Sequence, residues 1–533
     1  MSGAAAVVLR AHGGPLRLEP IRVPQIRDDE ILVRIHGVGI CHTDLTAADG
    51  GVPFPLPAVL GHEGAGIVEA VGVGVAGLTP GDPVVLGFDS CRSCRNCGRG
   101  RAAYCENATA LNHGGTRLDG TTTLTGTDGT ALHGNWFGQS SMASHAVASA
   151  RNAVRLPPDV PVALAGPLGC GLQTGAGTVF NVLRPDPGSA IAVFGLGAVG
   201  MAAIMAARIA GCGNVIAVDP ISARRTLALE LGATAALSPV DVDDVGRAVR
   251  RESGGGVDFA VESVGTEQVV RHALSSLRPP GVCATLGLLP GRNPITIDQS
   301  HLLNGRTLTG VIEGDADPLT FLPMLVDLWR QGRFPVEKLV RTFPIDRIDD
   351  AIAATRSGEV VKAVLTFGQR HRRTSMNVRD EVAALRARTD RIDPRELDSI
   401  WDRLAPCRPV DLIGYRWRGF DFDTGHRTSG LLRRAHWYGK AFASESDVQP
   451  LLCRSEDGQL FSDIGTGHGE ASLWEVVFRG EVTATMVYDG MPVFDHFKKV
   501  DDDTVIGVMN GKGTLVFDGG EHFWFGLERD VAL

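Results

Sequence analysis

The sequence predicts an α/β protein with a doubly wound parallel sheet, followed by a small, mainly β barrel or cup. From residue 187 onward, short apolar segments alternate with helical patterns, as expected for β-α-β units. Beyond residue 410, short strand patterns are separated by turns rich in aspartate and glycine. Five of the seven tryptophans lie beyond residue 400. We therefore interpret that part of the chain as a second module.

The composition is that of a globular chain. It has 533 residues, of which 44% are hydrophobic and 21% are charged, which excludes a mostly disordered chain. The net charge of −9 gives no general basic character, so we expect no nucleic-acid partner. No segment approaches the roughly 20 apolar residues that span a bilayer, and the N-terminus shows no charged leader segment. We expect a cytoplasmic protein without a membrane span.

The first strands and the junction between the modules have clear patterns. Alternating apolar and polar residues over 5–38 predict strands, with turns at 13–14 and 27–29. The segment 369–400 is charged and poor in aromatic residues, so we predict a linker with leading helices there. Its apolar residues show helical spacing: Val382, Leu385 and Ile392.

Four cysteines lie close together in a polar segment that glycines interrupt: Cys91, Cys94, Cys97 and Cys105. Core packing does not explain thiols in such a segment, whereas four thiolates suit a closed tetrahedral zinc site. An iron–sulfur cluster is the competing interpretation, because four cysteines also bind those clusters. We favour a structural zinc ion. The dispersed cysteines are predicted to be buried thiols: Cys212, Cys283, Cys407 and Cys453.

A glycine-rich motif follows the predicted strand IAVF and opens a helix: Gly195, Leu196, Gly197, Ala198, Val199 and Gly200. Its glycines permit a tight turn, a close approach of the backbone to a pyrophosphate, and helix–strand packing. Asp219 closes the next strand 19 residues after Gly200. Its carboxylate would bind the adenosine ribose and repel a 2′-phosphate, so we expect NAD rather than NADP. A glycine-rich turn without a ligand is the alternative.

Three further residues have metal-ligand chemistry in glycine-rich surroundings: Cys41, His62 and Cys170. Each of them alone is more often a buried thiol or a hydrogen-bonded histidine. Together, two thiolates, one imidazole and an open fourth position are typical of catalytic zinc. With the four-cysteine segment, the sequence predicts two zinc ions per chain.

The motifs resemble those of the zinc-dependent medium-chain alcohol dehydrogenases. Residues 61–75, GHEGAGIVEAVGVGV, fit the G-H-E-x2-G-x5-G-x2-V signature of that family, and the later motifs follow at its usual separations. The resemblance covers about residues 4–368. It implies three segments: a GroES-like catalytic domain at 1–155, a Rossmann NAD-binding domain at 156–304, and the rest of the catalytic domain at 305–368. We also expect a homo-oligomer, a dimer or a tetramer.

The resemblance implies roles for single residues. The two cysteines and the histidine of the catalytic set match the zinc ligands of the family. Asp44 would orient the imidazole of His62, and Thr43 would hydrogen-bond the substrate hydroxyl and begin a proton relay. Glu63 would lie behind the metal. Three residues match positions near the cofactor, with solvated charges as the alternative: His42 and Lys362 at the pyrophosphate, and Arg224 at the adenosine ribose.

One position departs from the pattern of the family. Many members have a histidine a few residues after Thr43 that ends the proton relay, whereas this chain has Leu45 and Thr46. A threonine is no base near neutral pH, so the proton would need water or another group. The segments at 136–147 and 166–182 are most similar to the aryl- and allylic-alcohol branch. This similarity implies benzyl-type or terpenoid primary alcohols as substrates.

The last part of the chain, 401–533, resembles a GxWxG-type domain paired with a domain of unknown function of the DUF4334 type. The segments GYRWRGFDFDTGH and AHWYGKAF show this resemblance, which implies no established activity. Strands and aromatic residues predict a cup that suits a hydrophobic small molecule. Four candidate site residues are expected to cluster around a turn: Asp489, Asp495, His496 and Lys498. Turn chemistry is an equal explanation for the two aspartates.

These motifs predict an NAD-dependent, zinc-dependent alcohol dehydrogenase for a small hydrophobic alcohol or its aldehyde, fused to a hydrophobic-ligand cup. Three alternatives stay open. The first is a bifunctional enzyme whose C-terminal domain isomerises or otherwise converts the enal product. The second is a reductase of the same fold without catalytic zinc. The third is a ligand-binding or scaffold protein with an idle dehydrogenase fold.

Overall fold

The computed structural model describes residues 4–367, 378–388, 390–512 and 516–533. The chain divides by its internal packing into two units, residues 1–369 and 370–533. The first part of the predicted linker, up to residue 377, lies outside the described residues. Among the described residues, no helix is long and apolar enough to cross a membrane.

Two sheets form around the N-terminal strands of the first unit, and all their pairings are antiparallel except that of Val340–Pro344 with Lys362–Thr366. The strands predicted there are confirmed as Ala5–Leu9, Leu16–Arg22 and Glu30–Gly39, and the chain turns between them where the sequence predicts it. The first two lie in a five-stranded sheet with Ala58–Val59, Leu124–Gly126 and Ala131–Leu132. The third lies within a seven-stranded sheet with Gly64–Val71, Pro83–Leu86, His145–Ser149, Ala153–Arg155, Val340–Pro344 and Lys362–Thr366.

The last strand of the first unit returns to the N-terminal part of the chain. In the seven-stranded sheet, Val364 lies opposite Gly39 in antiparallel register. The strand Glu30–Gly39 ends just before Cys41. The pairing therefore brings Lys362 next to the segment that contains the first predicted metal ligand.

A six-stranded parallel sheet follows the glycine-rich motif, and the predicted doubly wound fold is confirmed. Its order across the sheet is Ala235–Leu237, Asn214–Val218, Ala190–Phe194, Val257–Glu262, Leu277–Thr285 and Thr307–Gly310. The chain runs outward in both directions from Ala190–Phe194, so a crevice opens at the carboxyl end of that strand. The glycine-rich motif lies at this end. The strand Thr307–Gly310 extends this sheet past residue 304, where we expected the domain to end.

Helices cover the parallel sheet and connect it to the metal-ligand segments. The α-helices of the first unit, among the described residues, are His42–Ala48, Ala108–His113, Val162–Ala165, Gly171–Gly177, Ala198–Ile209, Ser222–Glu230, Val245–Glu252, Glu267–Ser276, Gln299–Leu303, Pro318–Arg330 and Ile348–Ser357. Gly171–Gly177 packs closely on Ala198–Ile209, because a Cβ on Gly175 would lie 2.0 Å from the carbonyl oxygen of Val199. This contact fixes Cys170 relative to the glycine-rich motif.

The second unit is a closed antiparallel barrel, in agreement with the predicted barrel or cup. Its eight main strands are, in chain order, Tyr415–Asp421, Trp437–Phe442, Val448–Arg454, Ala471–Phe478, Glu481–Tyr488, Val493–Lys499, Thr504–Gly511 and Trp524–Ala532. The strand Thr504–Gly511 pairs with both Val493–Lys499 and Trp524–Ala532, and Trp524–Ala532 pairs with Tyr415–Asp421, which closes the ring. The interior contains several buried aromatic side chains: Trp417, Phe442, Phe497, Phe523 and Phe525.

Two helices precede the barrel and pack on its outer face. They are Val378–Arg386 and Pro394–Trp401. Val382 and Leu385 lie on the first helix as the spacing predicts, and both are buried. Ile392 is also buried, but it lies in the loop between the helices, because Asp393 caps the second helix and Pro394 begins it. The other described helices of this unit are Pro409–Leu412, Arg427–Arg434 and Ile464–Gly467.

Candidate catalytic metal site and dinucleotide loop

The two cysteines and the histidine of the predicted catalytic set come together in the first unit. Cys41 and Cys170 each precede a helix, and His62 lies in the loop before the strand Gly64–Val71. Their ligand atoms and a carboxylate oxygen of Glu63 all lie within 4.8 Å of one another. The distance from His62 Nε2 to Cys170 Sγ is 3.2 Å. Two thiols and an imidazole this close together fit a catalytic zinc ion.

The carboxylate of Asp44 holds the histidine and the first cysteine in place. Its Oδ1 accepts hydrogen bonds from His62 Nδ1 at 2.8 Å and from the backbone N–H of Gly61 at 3.1 Å. Its Oδ2 accepts the backbone N–H of Cys41 at 3.0 Å. A proton on Nδ1 leaves the lone pair of His62 Nε2 for a metal. Burial opposes a charged imidazole, but the Asp44 carboxylate outweighs it and raises the pKa of His62.

Trp136 is a partner of this carboxylate that sequence reasoning missed. Its indole Nε1 donates to Asp44 Oδ1 at 2.9 Å, and its side chain is fully buried. The next residue, Phe137, stacks on the imidazole of His62 with ring centroids 4.3 Å apart. Trp136 begins the segment 136–147 that resembles the aryl- and allylic-alcohol branch, but nothing in the local sequence marks its contact with Asp44.

Glu63 and Lys362 form a buried ion pair behind the metal-ligand set. Lys362 Nζ lies 2.7 Å from Glu63 Oε1 and also donates to the carbonyl oxygen of Ile40 at 3.1 Å. Burial raises the pKa of Glu63, against the opposing effect of the Lys362 ammonium. Glu63 Oε2 is buried and has no hydrogen-bond partner among the described residues. In this arrangement Lys362 contacts Glu63, whereas we expected it at the pyrophosphate.

Glu313 is a second carboxylate at the site that sequence reasoning missed. Its Oε1 lies 3.8 Å from Cys170 Sγ, and its Oε2 accepts a hydrogen bond from Gln173 Nε2 at 2.9 Å. Burial of the carboxyl raises the pKa of Glu313 to about 7. Glu313, Gly314 and Asp315 all have positive φ angles. Such backbone is uncommon for glutamate and aspartate, and it occurs in the segment that brings the Glu313 carboxylate to Cys170.

The first turn of the helix His42–Ala48 contains the predicted start of the proton relay. Thr43 Oγ1 lies 3.6 Å from Cys41 Sγ. Leu45 is buried, and the hydroxyl of Thr46 donates to the carbonyl oxygen of His42 at 2.8 Å. Neither of these two side chains is therefore a base for the proton, as the sequence predicts.

The four thiols of the polar segment also converge, and they fit a single metal ion. The Sγ atoms of Cys91, Cys94, Cys97 and Cys105 all lie within 4.8 Å of one another. A tetrahedron with Zn–S bonds of about 2.3 Å has edges of about 3.8 Å, close to the 4.0 Å between Cys91 and Cys97. Backbone N–H groups donate to the sulfurs of Cys91, Cys94 and Cys105. A multi-iron cluster binds its thiolates on different iron atoms and therefore needs a wider spacing.

The glycine-rich motif has the geometry of a dinucleotide loop. Gly195 has φ of +88°, and a Cβ on Gly200 would lie 1.8 Å from the carbonyl oxygen of Gly195. A Cβ on Gly197 would meet no atom within 4 Å, so open space lies over the start of the helix where a pyrophosphate fits. Two other residues of the motif differ in exposure: Leu196 is fully buried, whereas Val199 is half-buried.

The predicted ribose-binding carboxylate lies next to this loop. Asp219 Oδ2 accepts the backbone N–H of Leu196 at 2.8 Å, and Oδ1 accepts that of Ile221 at 2.8 Å. Arg224 is half-buried and donates to the carbonyl oxygen of Val360 at 3.3 Å. His42 is exposed.

The structure does not bring the four C-terminal candidates together. Asp489 is exposed after the strand Glu481–Tyr488. Asp495 is buried, and its Oδ2 lies 2.9 Å from Lys440 Nζ. Its neighbour His496 points to the other face of the strand, because successive side chains alternate. The expectation of one cluster around a turn is therefore corrected.

His496 and Lys498 lie on the outer face of the barrel. The ring of His496 stacks on Phe478 with centroids 3.8 Å apart, and its Nδ1 is 2.8 Å from the hydroxyl of Thr485. Lys498 donates to the carbonyl oxygen of Trp401 at 3.2 Å. Burial lowers the pKa of His496 to about 4. Lys498 is therefore explained by packing of the leading helix Pro394–Trp401, and His496 by packing against two neighbouring strands of the barrel.

Four protein families match parts of the chain. The family described as "Alcohol dehydrogenase GroES-like domain" matches residues 27–158, and "Zinc-binding dehydrogenase" matches residues 198–328. In the second unit, "GXWXG protein" matches residues 399–458, and "Domain of unknown function (DUF4334)" matches residues 469–529.

Known proteins and structures resemble the first two thirds of the chain. A geraniol dehydrogenase of Castellaniella defragrans is 45% identical over 366 residues, which are 68% of this chain and 98% of the relative. A zinc-binding-domain alcohol dehydrogenase structure from Burkholderia ambifaria is 47% identical, with a TM-score of 0.67 over 69% of this chain and 99% of that one. The benzyl alcohol dehydrogenase structure from Acinetobacter calcoaceticus is 38% identical, with a TM-score of 0.66 over 68% and 99%. The chain therefore belongs to the zinc-dependent medium-chain alcohol dehydrogenases, oxidoreductases that act on alcohols, and it has a GXWXG and DUF4334 region in addition.

Proposed function

We propose that this protein oxidises apolar primary alcohols of the allylic or aryl type, or reduces the matching aldehydes, with NAD as the hydride carrier. The observation that supports this most directly is the convergence of Cys41, His62 and Cys170 within 4.8 Å. The likeness to a geraniol dehydrogenase and to a benzyl alcohol dehydrogenase supports the substrate class.

The residues of the catalytic set would hold a zinc ion, and those of the glycine-rich motif would hold NAD. Zinc supplies a Lewis acid for the alcohol oxygen, and NAD accepts the hydride. Asp44 keeps the imidazole of His62 oriented through its 2.8 Å hydrogen bond. The Glu63–Lys362 pair places a carboxylate behind the ligands, with Oε2 left for a partner.

The hydroxyl of Thr43 is placed to move the substrate proton. A hydroxyl can accept the proton of the substrate O–H and pass its own proton on. The helix after Thr43 offers Leu45 and Thr46, and the hydroxyl of Thr46 already donates to a backbone carbonyl. The proton therefore passes from Thr43 to water in this proposal.

The four-cysteine site would hold a second zinc ion with a structural role. All four of its ligands come from the protein, which is the arrangement of closed structural sites. Thiol spacings near 4.0 Å support a single ion over an iron–sulfur cluster.

The barrel of the second unit would bind a hydrophobic small molecule. Its interior is lined by aromatic side chains, and a barrel of about eight strands has room either for its own side chains or for one small ligand. Conversion of the enal product by His496 has no support, because that side chain lies on the outer face.

A substrate panel tests the proposed function. Geraniol, benzyl alcohol and 1-butanol are compared with NAD and with NADP, and formation of the reduced nicotinamide is followed by absorbance. We expect kcat/KM for geraniol and benzyl alcohol to exceed that for 1-butanol by about tenfold or more, because an apolar pocket discriminates by contact area. Absence of oxidation of every alcohol by zinc-replete protein would overturn the proposal, and a preference for NADP would overturn the cofactor assignment.

A further inference from the structure

We propose that the interior of the C-terminal barrel contains a binding site for the hydroxyl group of an apolar alcohol, built by Lys440, Tyr488 and Asp495. That the ligand is an alcohol which the dehydrogenase also oxidises rests on the proposed function. The polar centre itself is independent of the metal sites, since all of its residues belong to the second unit.

Three polar side chains from three strands meet inside the barrel. Lys440 Nζ lies 2.9 Å from Asp495 Oδ2 and 3.3 Å from the hydroxyl oxygen of Tyr488. The Tyr488 hydroxyl is 3.3 Å from Asp495 Oδ2. All three residues are at most 4% exposed. They form one connected polar group, in which Lys440 Nζ also donates to the carbonyl oxygen of Pro450 at 3.1 Å.

Aromatic rings surround the ammonium group. Lys440 Nζ lies 5.0 Å from the ring centroid of Phe525, 5.6 Å from that of Tyr488 and 5.8 Å from that of Trp437. These distances are within the range of cation–π attraction. Burial and the nearby Asp495 raise the pKa of Tyr488 well above its ordinary value, so its phenol keeps the proton as a donor.

Stability alone does not account for this polar centre. Removing two charges from water costs several kcal/mol for each ion, and apolar residues of similar volume are often as stable as a buried ion pair or more so. A buried pair in an aromatic barrel is therefore better explained by recognition of a ligand than by folding.

Asp495 and Trp437 each have a buried polar atom that lacks a hydrogen-bond partner, and a ligand can provide one. Asp495 Oδ1 is a buried acceptor, and Trp437 Nε1 is a buried donor. Neither has a hydrogen-bond partner within the described parts of the chain. Buried polar atoms without partners cost free energy, so each of them favours a ligand that supplies the missing group.

An alcohol supplies both groups, whereas an aldehyde supplies only one. A hydroxyl donates one hydrogen bond, which suits Asp495 Oδ1, and it accepts others, which suits the unpartnered Nε1 of Trp437. An aldehyde oxygen only accepts and would leave Asp495 Oδ1 without a partner. The apolar body of the alcohol would lie among the aromatic side chains of the interior.

Equilibrium dialysis of the full-length protein tests this site, with geraniol and its aldehyde geranial as probes. The test variant is the double replacement Lys440→Met with Asp495→Leu, which removes both charges together. The matched control is Lys498→Met with Glu481→Leu, which removes an ion pair on the outer face of the barrel. Bound probe is counted per chain by gas chromatography, and circular dichroism checks the fold of each variant.

We expect the test variant to bind about one geraniol fewer per chain than the wild type, while the control variant binds the same amount. At this site geranial should bind at least about tenfold more weakly than geraniol, because it leaves a buried acceptor unpaired. Equal geraniol binding by the test variant and the wild type, or water alone at this site, would overturn the proposal. Equal affinity for geranial would overturn the alcohol assignment.

A second variant covers the case in which the double replacement fails to fold. Tyr488→Phe removes one donor and keeps the ring, and we expect it to weaken geraniol binding in the barrel several-fold. Unchanged binding would count against the site. Oxidation of geraniol with NAD is measured in parallel and should be the same for every barrel variant. If geraniol binds in the barrel but is not oxidised, the proposed function is wrong and the barrel site is still supported.

Discussion

The orientation of His62 depends on one carboxylate and on the groups that donate to it. Asp44 Oδ1 accepts hydrogen bonds from His62 Nδ1 and from Trp136 Nε1, at 2.8 and 2.9 Å. Residues that hold a ligand histidine typically change metal affinity or activity by about 10- to 100-fold when they are replaced. Trp136 thus acts on the site through its contacts with Asp44 and His62.

Replacement of Trp136 by Phe should loosen the zinc ion. The ring stays, but Asp44 loses one donor, so we expect about tenfold faster loss of zinc to a chelator and a lower kcat. The matched control is Trp329→Phe, since the indole of Trp329 also donates to a carboxylate, that of Glu337, at 2.7 Å. Equal zinc retention by the Trp136 variant and the wild type would show that Asp44 orients His62 without the hydrogen bond from the indole.

Asp219 should set the choice between NAD and NADP. In Asp219→Asn the amide oxygen can still accept the N–H of Leu196, but the negative charge that repels a 2′-phosphate is gone. We expect the ratio of kcat/KM for NAD to that for NADP to fall by about tenfold, or about 1.4 kcal/mol. Asp258→Asn is the control. Asp258 also accepts a backbone N–H, that of Ala190, which begins the strand Ala190–Phe194 at the end away from the glycine-rich motif. If the NAD-to-NADP ratio of kcat/KM is unchanged in Asp219→Asn, the charge of Asp219 does not set the cofactor preference.

Single elements show what the sequence can predict. Strands such as Glu30–Gly39 follow from local alternation, and the glycine-rich motif follows from its spacing after a strand. The strand Val493–Lys499 shows the limit. Four polar residues in and near it looked like one site, yet alternation directs Asp495 inward and His496 outward. The alternation of side chains between the two faces of this strand would have separated Asp495 from His496 and Lys498.

His496 should make the stability of the barrel depend on pH. Its pKa is lowered to about 4 in the folded chain by burial, against about 6.5 when unfolded. The stability contributed by the neutral ring is complete above pH 6.5 and falls as the pH drops toward 4, by up to about 1.4 kcal/mol per pH unit.

Urea unfolding followed by tryptophan fluorescence between pH 7 and 4 measures this dependence. His496→Gln should flatten the curve over this interval, and replacement of the exposed His436 by Gln should leave it as in the wild type. Parallel curves for the wild type and His496→Gln would refute the assignment.

At the scale of the whole molecule, motifs with fixed spacing were predictable and contacts between distant segments were not. The four cysteines of the polar segment and the glycines of the loop belong to patterns within one short stretch of chain. Glu313 reaches Cys170, and Lys440 reaches Asp495, only because the fold brings distant strands and loops together. No local pattern marks such residues in one sequence, and their burial becomes visible only after the chain is folded.

The measurement that tests the central claim most directly is the zinc content of wild type and Cys41→Ala, together with their rates of geraniol oxidation. We predict two zinc ions per chain in the wild type and one in Cys41→Ala, which should not oxidise geraniol. The control Cys212→Ala, which replaces a buried thiol outside both metal sites, should keep two zinc ions and activity. A Cys41→Ala variant that keeps both zinc ions, or that oxidises geraniol at the wild-type rate, would contradict the account.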